Sequence, residues 1–74
     1  MRIYLECTEI LPKESTEEPD FIRIDITDLD EQQRKDVLDS IRQQFSGIKY
    51  TLIIHYCYHD EGKPCETTII EVRK

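Results

Sequence analysis

Glycine and serine are scarce in this chain, and their scarcity excludes several kinds of enzyme. The only two glycines are Gly47 and Gly62, so no glycine-rich loop is present to cradle a phosphate group. The serines are Ser15, Ser40 and Ser46, and none of them lies in a nucleophile elbow. No nucleophile or paired carboxylate is visibly arranged with either histidine. We therefore expect a protein without catalytic activity.

Long apolar runs and a surplus of basic residues are also missing. No stretch approaches the roughly 18 apolar residues of a membrane span. The 16 Asp and Glu residues outnumber the 10 Lys and Arg residues, which gives a net charge of −6, whereas nucleic-acid binders present a basic surface. We therefore expect no membrane partner and no general binding of nucleic acid. The first residues lack the apolar stretch of a signal peptide, so we expect a cytoplasmic protein with reduced thiols.

The 74 residues are predicted to form one small domain, residues 1–74, of the α+β class. Apolar and polar residues alternate in four segments, which predicts strands over residues 1–8, 21–26, 48–58 and 67–73. Apolar residues at helical spacing predict a helix from Asp28 to Phe45, with Thr27 as its N-cap. Residues 11–20, rich in proline and glutamate, are predicted to form a solvated loop.

The order of these elements predicts a ββαββ fold, in which one helix packs on one face of a four-stranded mixed sheet. The helical crossover makes the second and third strands run in the same direction. Two strand orders are compatible with this. One is a ubiquitin-like roll, with the first and last strands central and parallel. The other has the second and third strands central. No motif supports a family assignment.

The last turn is predicted from the same alternation. Ile70 and Val72 are expected to face the core, which requires a loop with an odd number of residues, Glu61–Lys63. This register places His59 opposite Cys65, Cys57 opposite Thr67, and His55 opposite Ile69.

The face of the sheet that the helix leaves uncovered is the predicted functional surface. It carries more apolar residues than a solvated face requires, and its four basic residues outnumber its three acidic ones. The predicted contact residues are Tyr4, Phe21, Arg23, Lys49, Ile53, His55, Ile69 and Arg73. Because aromatic and arginine side chains are common binding anchors, we predict a protein-interaction module that binds a partner protein or itself as a homodimer. A weak single-stranded nucleic-acid binder, stacking bases on Tyr4 and Phe21, is an alternative.

A second alternative is a zinc-type metal site formed by Cys57, His59 and Cys65. Residues two apart on a strand point the same way, and the predicted register brings Cys65 across from His59. His55 lies farther along the strand and is expected to reach the site poorly. The chain has no paired Cys-x-x-Cys knuckle, and Cys7 is expected to be a core residue.

Overall fold

The computed structural model describes residues 1–74 and contains four strands, one α-helix and one short 3₁₀-helix. The elements are β1 (Arg2–Glu9), β2 (Phe21–Asp25), α1 (Glu31–Gln44), β3 (Tyr50–Cys57), the 3₁₀-helix (His59–Glu61) and β4 (Glu66–Arg73). The predicted α+β class and the ββαββ order are confirmed. The helix α1 is too short and too polar to cross a membrane.

The four strands form one sheet in the order β2-β1-β3-β4, and every neighbouring pair is antiparallel. The sheet is therefore antiparallel rather than mixed, and its order differs from both predicted orders. The physical reason is that α1 carries the chain across one intervening strand, β1. As predicted, β2 and β3 run in the same direction, but β1 separates them, so they do not pair.

The core lies between α1 and one face of the sheet. It consists of Ile3, Leu5, Cys7, Ile26, Ile41, Phe45, Tyr50 and Leu52. The inward faces predicted for β1 and for the first half of β3 are thus confirmed. Cys7 is fully buried, as expected of a core residue, and burial raises the pKa of its thiol to about 11.

The helix begins later than predicted, and its N-cap is Asp30 instead of Thr27. The Asp30 carboxylate accepts a hydrogen bond from the Gln33 backbone N–H at 2.8 Å, and the Gln33 side chain accepts one from the Asp30 N–H at 3.0 Å. Thr27 has another role. Its hydroxyl accepts a hydrogen bond from the Ile3 N–H at 2.8 Å and donates one to Asp25 at 2.6 Å, which ties the end of β2 to β1.

A β-bulge divides β4 into two halves. Ile53 faces Ile69, but the adjacent Leu52 faces Glu71, so Ile70 is an extra residue in the ladder. Because successive strand residues point to opposite faces, one inserted residue reverses the alternation beyond it. Ile70, predicted to face the core, is 41% exposed.

The reversal corrects three further assignments at the end of β4. Val72, predicted to be inward, lies opposite Thr51 on the uncovered face and is 43% exposed. Glu71 and Arg73, predicted to lie on the uncovered face, are on the helix side, where Arg73 is paired with the buried Tyr50. The Glu71 carboxylate accepts hydrogen bonds from the Tyr50 hydroxyl at 2.7 Å and from Arg42 of α1 at 2.9 Å.

The connection between β3 and β4 is longer than the predicted three-residue loop, because it contains the 3₁₀-helix. As a result the strands pair two residues away from the predicted register. His55 lies opposite Thr67 rather than opposite Ile69. The last pair toward the turn is Tyr56 and Glu66, so Cys57 and Cys65 adjoin the end of the ladder.

Candidate metal site

The uncovered side of the sheet, called the open face below, is formed by the outward residues of all four strands. These are Arg2, Tyr4, Glu6 and Thr8 of β1, Phe21, Arg23 and Asp25 of β2, Thr51, Ile53, His55 and Cys57 of β3, and Thr67, Ile69 and Val72 of β4. In its middle, Tyr4 lies between Asp25 and His55, and Glu6 lies between Arg23 and Ile53. Polar and aromatic side chains therefore meet at the centre of this face.

The predicted contact residues are only partly brought together. Tyr4, Arg23, Ile53 and His55 lie on adjoining strands in the middle of the open face. Ile69 of β4 adjoins this group because it pairs with Ile53, whereas the others are dispersed: Phe21 lies at the start of β2, Lys49 just before β3, and Arg73 on the helix side. The Arg23 guanidinium lies 5.2 Å from the centre of the Tyr4 ring. Phe21 pairs with Thr8, whereas Tyr4 pairs with Asp25 at the other end of β2. Tyr4 and Phe21 are therefore not adjacent.

Glu6 is the central residue of the open face, although sequence reasoning gave it no role. Only 8% of it is exposed, which is unusual for a carboxylate on an uncovered sheet surface. Its Oε2 atom lies 2.6 Å from Nδ1 of His55 and 3.2 Å from the Arg23 guanidinium. A buried carboxylate needs such partners, so Glu6 holds both side chains in place.

His55 is oriented by these contacts. Its ring meets the Tyr4 ring edge to face, with the ring centres 5.9 Å apart. A carboxylate only accepts hydrogen bonds, so Nδ1 of His55 is the donor to Glu6, and in the neutral ring Nε2 carries the lone pair. That Nε2 atom is buried and has no hydrogen-bond partner. A buried polar atom left unpaired costs about 1–3 kcal/mol, so this atom calls for an explanation.

Two thiols lie close to the ring of His55. A ring nitrogen of His55 and the sulfur atoms of Cys57 and Cys65 all lie within 4.8 Å of one another. Since Nδ1 is bonded to Glu6, Nε2 is the nitrogen available to this group. Cys57 is the last residue of β3 and Cys65 immediately precedes β4, so the sheet register holds the two sulfurs at one end of the hairpin.

His59, which lies in the 3₁₀-helix, contacts both sulfurs. Its Nδ1 atom lies 3.0 Å from the Cys57 sulfur, and its Nε2 atom lies 3.5 Å from the Cys65 sulfur. Both cysteines are free thiols. Burial, followed by a hydrogen bond with Cys57, raises the pKa of the Cys65 thiol. We call His55, Cys57, His59 and Cys65 the thiol–imidazole cluster.

The cluster contains the three residues of the predicted metal site and one more. Cys57, His59 and Cys65 come together, although in a different register from the one predicted. The expectation that His55 reaches poorly is wrong, because a nitrogen of its ring lies within 4.8 Å of both sulfurs. The contact of Glu6 with His55 could be predicted only from the pairing of β1 with β3, and the sequence left this strand order open.

Comparison of the chain with protein-family models, with curated proteins and with solved structures found no match.

Proposed function

We propose that the protein binds a divalent metal ion of the zinc type through the thiol–imidazole cluster. The observation that carries the proposal is the buried, unpaired Nε2 of His55 in a ring that has a nitrogen within 4.8 Å of two free thiols. A metal ion gives this nitrogen the partner that it lacks. Thiolate sulfur and imidazole nitrogen are together the ligands that zinc prefers.

The spacing of the cluster supports a tetrahedral site. Bonds of about 2.3 Å to sulfur and 2.0 Å to nitrogen place the ligand atoms of a tetrahedral zinc site about 3.3–3.8 Å apart. From the single atom Nδ1 of His59, the sulfurs of Cys57 and Cys65 lie 3.0 and 3.9 Å away, which is close to this range. The ligand atoms of His55, Cys57 and Cys65 lie within 4.8 Å of one another, and the proposal requires them to move closer when the ion binds.

Glu6 supplies the support that metal-bound histidines need. Such histidines generally donate their second ring N–H to a carboxylate or carbonyl oxygen, which fixes the ring and increases the basicity of the ligating nitrogen. The 2.6 Å contact between Glu6 and Nδ1 of His55 has this arrangement. The proposal requires Cys57 and Cys65 to be reduced, and we accordingly infer a cytoplasmic protein.

Zinc titration combined with thiol alkylation tests the proposal. We expect one zinc ion per chain to protect Cys57 and Cys65 from an alkylating reagent, while the buried Cys7 is unreactive in the native protein with or without zinc. Cys57→Ser and Cys65→Ser should each abolish stoichiometric binding. Thr67→Ala, which removes a neighbouring side chain of the open face, is the matched control and should bind normally. Alkylation rates of Cys57 and Cys65 that do not change with zinc would refute the proposal.

We also propose, as a second function, that the β3–β4 end of the open face contacts protein. Ile69 is 63% exposed, it lies opposite Ile53, and Val72 beside it is 43% exposed, which makes a small apolar surface. Its partner is another protein or a second copy of the chain. Ile69→Asp should lower self-association in sedimentation, or abolish capture of a partner, and Thr67→Asp on the same face is its control. Equal self-association and equal partner capture by the two variants would contradict this function.

A further inference from the structure

We propose that Cys57 and Cys65 form a reversible disulfide, and that this disulfide and the metal ion exclude each other. The metal half of this inference depends on the proposed function, whereas disulfide formation stands on the geometry of the hairpin alone. The cluster would then be a redox-controlled site.

The register of β3 and β4 places the two cysteines correctly for a disulfide. Tyr56 pairs with Glu66 at the end of the ladder, and Cys57 and Cys65 are the residues that follow this pair toward the turn. Residues opposite each other on antiparallel strands have Cα atoms about 4.5–5.5 Å apart, which is within the range of about 4.4–6.8 Å that a disulfide spans. Their sulfur atoms already lie within 4.8 Å.

The third cysteine does not compete. Cys7 is fully buried on the helix side of β1, whereas Cys57 and Cys65 are partly exposed. The sheet itself therefore separates Cys7 from the pair. The odd number of cysteines leaves one thiol over, and the structure identifies it as Cys7.

The reaction needs a disulfide oxidant, and glutathione disulfide is the chemical class that we name. The Cys57 thiol loses its proton to His59, whose Nδ1 lies 3.0 Å away, and the thiolate attacks the oxidant. The oxidant's S–S bond breaks, and one glutathione thiolate leaves and is protonated. The Cys65 thiol then loses its proton, and its sulfur attacks the Cys57 sulfur of the mixed disulfide and releases the second glutathione. Two thiols are oxidised to one disulfide, and one glutathione disulfide is reduced to two thiols.

Metal binding and oxidation use the same two sulfur atoms. A disulfide sulfur has no thiolate to donate to a metal, so oxidation removes two ligands at once. A bound metal ion conversely engages both thiolates and leaves neither free to attack the oxidant. Each state of the pair therefore blocks the other.

The test is oxidation of the metal-free protein by glutathione disulfide, followed by intact mass and peptide mapping. We expect a product about 2 Da lighter, with Cys57 linked to Cys65. Cys7→Ser should react in the same way. Cys57→Ser and Cys65→Ser should instead stop at a glutathione adduct, with circular dichroism used to check that each variant is folded. Glutathione adducts or intermolecular disulfides as the only products of the folded wild type would overturn the inference.

A zinc-loaded arm separates this inference from the proposed function. Zinc should slow the oxidation at least about tenfold, and the oxidised protein should no longer bind zinc. Formation of the Cys57–Cys65 disulfide at a rate unaffected by zinc would support disulfide formation and count against the metal site. Zinc binding to a protein that forms no such disulfide would support the metal site and overturn this inference.

Discussion

At the residue scale, the contact between Glu6 and His55 determines what the open face can do. Glu6→Gln removes the carboxylate from Nδ1, so we expect zinc affinity to fall by about 10–100-fold. The ring should also lose its preference for a proton on Nδ1, which nitrogen chemical shifts of His55 report and a merely destabilised fold would not alter. Glu6→Asp should restore part of the affinity.

Arg23→Gln is the matched control for this substitution, because Arg23 contacts the same Glu6 oxygen but makes no hydrogen bond with His55. Its effect on zinc affinity should be small. An equal loss of affinity in both variants would show that Glu6 acts through the general charge of the face rather than by orienting His55.

Cys7 differs from Cys57 and Cys65, because its thiol has only a packing role. It is fully buried in the core, so Cys7→Ser places a hydroxyl in apolar surroundings and should lower the free energy of unfolding by about 1–3 kcal/mol. Urea unfolding measures this change. The zinc stoichiometry should remain that of the wild type, and a loss of zinc binding by the folded variant would contradict the separation of Cys7 from the cluster.

At the element scale, the start of α1 shows which of two caps the chain uses. Asp30→Ala should lower the free energy of unfolding by about 0.5–2 kcal/mol, because the first turn loses the acceptor for the Gln33 N–H. Asp28→Ala is the control, since it removes an exposed carboxylate two residues earlier. A melting temperature that is lowered equally in both variants would count against Asp30 as the cap.

The bulge in β4 brings Glu71 to the helix side, where it links β4 to α1. The Tyr50 hydroxyl and then the Arg42 guanidinium hold the pKa of the Glu71 carboxyl below its usual range. A lowered carboxyl pKa contributes stability above the pKa of the unfolded chain, and this contribution is lost as the pH falls through the folded-state pKa.

Glu71→Gln should therefore be less stable than the wild type at neutral pH, and the difference should shrink as the pH falls below about 4. Melting temperatures of the two proteins from pH 7 to pH 3 measure it. A difference that stays constant over this range would mean that the charge of Glu71 does not contribute.

At the scale of the whole molecule, the alternation of apolar residues predicted much of the fold. It was sufficient for the inward faces of β1 and early β3, because Ile3, Leu5 and Leu52 bury their side chains in one core. It failed where one residue is inserted. A bulge leaves no mark in the pattern Ile69-Ile70, since either isoleucine can face the core.

The site was predictable in composition but not in arrangement. Cys57, His59 and Cys65 are close in sequence, and a hairpin brings them together in more than one register. Glu6 is distant in sequence and reaches His55 only because β1 pairs with β3. Strand order depends on how α1 crosses the sheet, and local patterns contain no information about it.

The most direct measurement of the central claim is X-ray absorption at the zinc edge of the protein loaded with one equivalent of zinc. The thiol–imidazole cluster predicts two sulfur ligands at about 2.3 Å and two nitrogen ligands at about 2.0 Å. A first shell of nitrogen and oxygen alone, or one that is unchanged when Cys57 and Cys65 are replaced by serine, would contradict the account.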